Sequence, residues 1–68
     1  MLKANELKAE MAREGLTIKR LAEALVMHPA TLSNKINGKT EFGCDEMMKI
    51  GDILHLSQKR MADIFFGH

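Results

Sequence analysis

TIKRLAEALVMHPATLSNKINGK, residues 17–39, carries the start and stop signals of two short helices joined by a tight turn. Thr17 is a favourable N-cap, because its hydroxyl can accept one of the backbone N–H groups left unpaired in a first helical turn. Leu16 before it can close over Leu21, a hydrophobic staple that fixes how the chain enters the helix. This helix is expected over about Ile18 to Leu25. The next opens at Pro29, whose missing N–H and fixed φ suit a first helical position, with His28 at the cap and Met27 stapled onto Leu32. Asn37-Gly38 ends it, glycine being the residue that most readily takes a left-handed exit conformation.

At about 100° per residue, Leu32 and Ile36 point together into a core, and Ala30, Asn34 and Asn37 point the other way. Thr31 and Ser33 flank that outward stripe. Lys35 lies at its margin, and Lys39 lies just past the helix end. A polar outer face alone is what any solvated helix shows. Small polar residues on the second helix of a stapled, capped and turned pair form the pattern of a helix-turn-helix over residues 17–37, whose second helix is shaped for the major groove of DNA. Asn can pair with adenine, and Ala or Thr methyls can touch the methyl of thymine. Asn34 is the leading expected base contact, followed by Ala30 and Thr31 in the first turn and then Ser33. Phosphates are expected to meet Thr17, Lys19, His28, Lys35, Lys39 and the backbone around Asn37-Gly38, contacts that hold register without reading sequence.

Residues 4 to 66 resemble the lambda-repressor-like helix-turn-helix family, which includes phage repressors and Cro proteins. The resemblance rests on Leu21-Ala22, Thr31-Leu32-Ser33, Asn37-Gly38-Lys39 and the closing Ile64-Phe65-Phe66. It implies that Ala22 is small so that two helices can approach closely. It also implies base contacts from the positions of Pro29, Ala30, Ser33 and Asn34. Three positions depart from the family pattern. Ile18 stands where a phosphate-binding glutamine is usual, so that contact is expected to be missing. Val26 stands where the turn usually has glycine; a β-branched residue at positive φ is an outlier, so another turn conformation is expected. His28 replaces a serine or threonine cap and is expected to face the DNA backbone.

The flanking segments complete an all-α, five-helix bundle of the lambda-repressor-like type, read as one domain over residues 1–68. A first helix over about residues 4–14 presents Leu7 and Met11 and ends at Gly15, with Asn5 as its candidate cap. After a loop over 38–43, a fourth helix begins at Cys44. There Phe42 can staple onto Met47, and Glu46 can reach back to the cap N–H. Asp45 and Glu46 suit the positive end of its dipole, and Met47, Ile50 and Leu54 form its buried stripe. Ser57 caps a fifth helix, with Leu56 over Met61. Four of the five helices thus share one staple spacing.

Sixty-eight residues cannot hold two cores, and domains near this size bury only about 60% of the surface their unfolded chains expose. The high apolar share with few aromatics suits packed helices. The net charge is only +1, but it is unevenly placed. Residues 1–16 balance Lys3, Lys8 and Arg13 against Glu6, Glu10 and Glu14. Residues 17–39 set Lys19, Arg20, Lys35 and Lys39 against Glu23, a net +3, and the remainder is net −2. Few cations mean few neutralised phosphates, so a lone protomer is expected to bind poorly and a homodimer to bind a two-fold site with half-sites roughly 34 Å apart. The run Met61, Ile64, Phe65, Phe66 is more apolar than a final helix needs for a small core, and part of it is expected to face a second copy.

Other chemistry is thin. Cys44 is alone, which points to no disulfide and to a reducing cytoplasm. His28, His55 and His68 lack metal-ligand spacing, no nucleophile-and-base pattern occurs, and no apolar run is long enough to suggest a signal peptide or a membrane span. No metal, cofactor, small-molecule substrate or enzymatic activity is expected. Met11 and Met47 fall on apolar stripes and read as core filler. The partner is expected to be double-stranded DNA, read as a transcription regulator of the repressor or Cro kind. The rival is an interaction module, antirepressor or antitoxin-like, that uses the C-terminal apolar run; Ile18 and Val26 favour it. RNA binding ranks third, since no stacking aromatics lie near the basic segment.

Overall fold

Local signals place each helix. A computed structural model describes residues 1–67, and among the described residues there are five α-helices and no strand. They are α1 (Ala4–Arg13), α2 (Ile18–Leu25), α3 (Pro29–Ile36), α4 (Cys44–Ile53) and α5 (Gln58–Phe66). Thr17 Oγ1 accepts from the Arg20 N–H at 3.2 Å and Ser57 Oγ from the Arg60 N–H at 3.0 Å. At α4 the cap is Gly43, whose N–H donates to Glu46 Oε1 at 2.8 Å, the half of a capping box that a glycine permits. α1 differs from expectation: Asn5 sits exposed inside the first turn, and Lys3 holds the cap position without a side-chain bond. The Lys3 N–H donates to the Ile64 carbonyl at 2.7 Å, so the start of α1 is tied to α5 through the backbone and not held by a side-chain cap.

One connector is used three times. Gly15, Val26 and His55 each take the left-handed conformation, at φ 70°, 55° and 57°. In each case this residue's N–H bonds the carbonyl three back and the following N–H bonds the carbonyl five back, the Schellman closure that satisfies a helix's last carbonyls. At the second connector these are Val26 N to Glu23 O at 3.1 Å and Met27 N to Ala22 O at 2.9 Å. A staple residue (Leu16, Met27, Leu56) and then a cap (Thr17, His28, Ser57) follow. The expectation that Val26 would force another turn conformation is therefore overturned. Val26 is 89% exposed, so little but its intrinsic preference opposes the turn, whereas two carbonyls and the seating of Met27 favour it.

The core joins Leu7 and Met11 of α1, Leu21, Ala22 and Leu25 of α2, and Leu32 and Ile36 of α3. To these it adds Phe42, Ile50 and Leu54, and Ile64 and Phe65 of α5. Each fully buried aliphatic among them contributes about 1.5–3 kcal/mol by leaving water. Phe42 anchors the α3–α4 loop edge-on to Phe65, with ring centroids 5.5 Å apart and planes at 80°. Met61 lies half-buried with the end of its thioether over Gly51, in the space that a Cβ there would occupy. Of the four residues assigned to a second copy, Ile64 and Phe65 are taken up by this core, because α5 must close over α1 and the Phe42 loop. Phe66 alone stays largely outward, at 52% exposure.

Charged groups close α1 against α5. Glu10, on the same stripe as Leu7 and Met11, is buried and accepts from Arg60 Nε at 2.8 Å. Arg60 also reaches Glu6 at 3.0 Å and Asp63 at 2.9 Å, and Lys3 pairs with Asp63 at 2.7 Å. Glu10 first, then Glu6, hold the Arg60 guanidinium above its ordinary pKa. The Lys3 ammonium, followed by Arg60, holds the Asp63 carboxyl below its own.

Candidate nucleic-acid interface

α3 sits on Leu32 and Ile36, which are 0% and 1% exposed, and packs against α2, where Ala22 is fully buried. That seat turns Ala30, Thr31, Asn34 and Asn37 to the exterior, all exposed, with Pro29 and Ser33 half-buried at the flanks. The residues expected to read base edges therefore form one continuous strip. Among the described residues, no other helix covers it.

His28 opens this helix. Its Nδ1 accepts from the Ala30 N–H at 3.1 Å, so the ring proton belongs on Nε2. The ring is exposed. Cap and phosphate donor, the two roles read for His28, thus use different nitrogens and do not compete. The Thr17 hydroxyl is similarly divided: its oxygen holds the Arg20 N–H, and its proton is left for an external acceptor.

The phosphate set needs two corrections. Lys35 is not an outward cation: its Nζ donates to the Glu41 carbonyl at 2.9 Å and lies 3.2 Å from Glu46 Oε1, and its side chain is only 16% exposed. The backbone around Asn37-Gly38 is also occupied, because the N–H groups of Asn37, Gly38 and Lys39 bond the carbonyls of Ser33, Lys35 and Asn34. They complete the helix exit, with Gly38 at φ 82°, and cannot also serve a ligand. What remains outward there is the Asn37 amide and the Lys39 ammonium. Lys19 and Arg20 are exposed on α2, and Ile18 is half-buried against the core.

Glu46 was read from the sequence as an N-terminal carboxylate; its second partner, Lys35, was not. The Gly43 N–H, and after it Lys35, keep its carboxyl below the ordinary value. No spacing rule connects a helix-margin lysine with a glutamate of the next helix, so only the fold reveals the pair. Glu10 was counted from the sequence only among balancing charges, although its three-residue spacing from Leu7 sets it on the same buried stripe. His68, one of the three histidines considered as ligands, lies outside the described residues.

A family model for the Cro/C1-type HTH DNA-binding domain matches residues 6–65. The chain belongs to that family. No curated protein and no solved structure matches it. Membership gives the exposed strip its meaning: in a Cro/C1-type domain, a helix-turn-helix with an uncovered second helix is a DNA-binding device. Among the described residues, no helix is long and apolar enough to cross a membrane.

Proposed function

We propose that this chain is a sequence-specific transcription regulator of the repressor or Cro kind, binding as a homodimer to a two-fold operator with α3 in the major groove. The observation that carries this reading is the exposed strip of Ala30, Thr31 and Asn34 on a helix whose opposite side is sealed by Leu32 and Ile36. Asn34 pairs with a base edge, Ala30 and Thr31 meet thymine methyls, and Pro29 and Ser33 shape the flanks of the contact. Thr17, Lys19, Asn37, Lys39 and the His28 Nε2–H hold phosphates.

Few free cations make a single protomer a weak binder, and two-fold pairing doubles the contacts. Phe66 is the exposed anchor for that pairing, with Met61 at its margin. One half-exposed aromatic per protomer is small against the roughly 1,200–2,000 Å² that stable interfaces bury, so pairing belongs on the DNA rather than in free solution.

Selection from a random duplex library, followed by footprinting, tests the reading. Two related half-sites roughly 34 Å apart are expected. Enrichment of no sequence above non-specific binding refutes it and favours a protein-interaction module working through the Phe66 surface.

A further inference from the structure

We infer that Lys35 is a positioning residue: it clamps the α3–α4 loop onto the recognition helix and thereby sets where Lys39 meets the DNA backbone. This rests on the DNA-reading function proposed above. From the margin of α3, the Lys35 ammonium reaches two points of the following segment, the Glu41 carbonyl at 2.9 Å and Glu46 Oε1 at 3.2 Å. That same Oε1 accepts the Gly43 N–H at 2.8 Å. One carboxylate oxygen thus joins the side chain of α3 to the backbone cap of α4. The 38–43 segment is strung between these points. Within it, Phe42 is fixed edge-on to Phe65. Lys39, whose N–H closes the end of α3 on the Asn34 carbonyl, and Thr40 are exposed, and neither side chain has a partner in the hydrogen bonds and ion pairs of the described residues.

A lysine in a DNA-reading helix would ordinarily be assigned to a phosphate, and the two roles have different signatures. A phosphate-bound cation releases counterions, so its removal flattens the dependence of log affinity on log salt by about 0.9. A clamp neutralises no phosphate. Its loss lets the loop wander, so Lys39 reaches the same phosphate only at a greater cost in ordering; binding to every sequence weakens while the number of released counterions stays nearly unchanged. Lys35→Met keeps the length of the side chain and removes the charge. Lys35→Arg keeps the charge and a reach to both acceptors. Glu46→Gln leaves Lys35 in place but without its ionic partner.

The experiment measures salt-titrated affinities of the full chain and these three variants, with Lys39→Ala as the internal standard, on a selected duplex and a scrambled one. Amide exchange at Gly43 and Lys39 is followed in parallel. Lys35→Met is expected to weaken both duplexes by about five- to tenfold with a salt slope within about 0.2 of the unaltered chain. Gly43 exchange is expected to quicken, Lys35→Arg to restore both readouts, and Glu46→Gln to lose part of each. Lys39→Ala is expected to lower the slope by about 0.9. A slope fall of that size for Lys35→Met, or unchanged Gly43 exchange, overturns the clamp while leaving the DNA-binding reading intact. Failure of the unaltered chain to bind any duplex refutes both.

Discussion

Replacing Val26 by glycine should stabilise this protein. The left-handed conformation costs an ordinary L-residue about 1–2 kcal/mol, and branching at Cβ places valine toward the upper end. Val26 holds φ 55°, ψ 50° at the second connector with its side chain 89% exposed. Removing the side chain therefore relieves the conformational penalty and forfeits almost no buried surface. Against this stands the greater freedom of glycine in the unfolded chain, about 0.5–1 kcal/mol. The difference is a gain of about 1 kcal/mol, or roughly 4–8 °C in Tm for a domain of this size. Two comparisons isolate the cause. Val26→Ala keeps a Cβ and should gain clearly less than glycine. Gly15→Val, at φ 70° in the equivalent connector with open space where the Cβ would go, should by the same balance lose about 1 kcal/mol. Helical circular dichroism followed through urea and thermal unfolding measures all three. If Val26→Gly is no more stable than Val26→Ala, the turn is not left-handed in solution and the reasoning fails.

Asn34→Ala should relax discrimination at one base position by about 1–3 kcal/mol while leaving the salt slope unchanged, as read by affinities on a panel of single-base variants of the selected site. Acidification should destabilise the fold. Asp63 and Glu46 are held below their ordinary pKa values when folded, so the unfolded chain takes up protons first as pH falls. Their contribution is full above about pH 5 and disappears below the folded values. Urea midpoints taken down to pH 3 should decline, and Asp63→Asn should flatten the decline; a pH-independent midpoint contradicts this. Arg60→Met should lower Tm because it leaves buried Glu10 with only the longer contact to exposed Arg13, at 3.6 Å, and Glu10→Leu in that background should recover part of the loss. An additive loss in the double variant would show that the pair is not coupled.

Much of the architecture is written in adjacent residues. Leu16-Thr17, Met27-His28 and Leu56-Ser57 each combine a staple with a cap, and these local chemistries act whatever lies across the core. The helix bounds and the outward strip of Ala30, Thr31 and Asn34 were accordingly legible. Val26 was misread because residue preference was weighed without the two carbonyls that its turn satisfies. Lys35 was misplaced because its partners, Glu41 and Glu46, belong to a segment whose return path no local pattern encodes. Ile64 and Phe65 looked surplus to a small core, since sequence shows how apolar a helix is but not how much surface Phe42 and α1 leave for it to cover.

The joint between α1 and α5 gives this molecule a seam. Lys3 with Asp63 and Glu10 with Arg60 bridge sequence separations of 60 and 50 residues, drawing the two outermost helices together. Closing so long a loop costs little more than closing one half as long, because the entropy grows only logarithmically. The outer edge of the seam, Lys3 with Asp63 and Arg60 with Glu6, is fastened by charges within reach of water, which dissolved ions screen, whereas α3 is seated on the buried side chains of Leu32 and Ile36, which they do not. Rising ionic strength therefore loosens that far edge of the bundle before it disturbs α3.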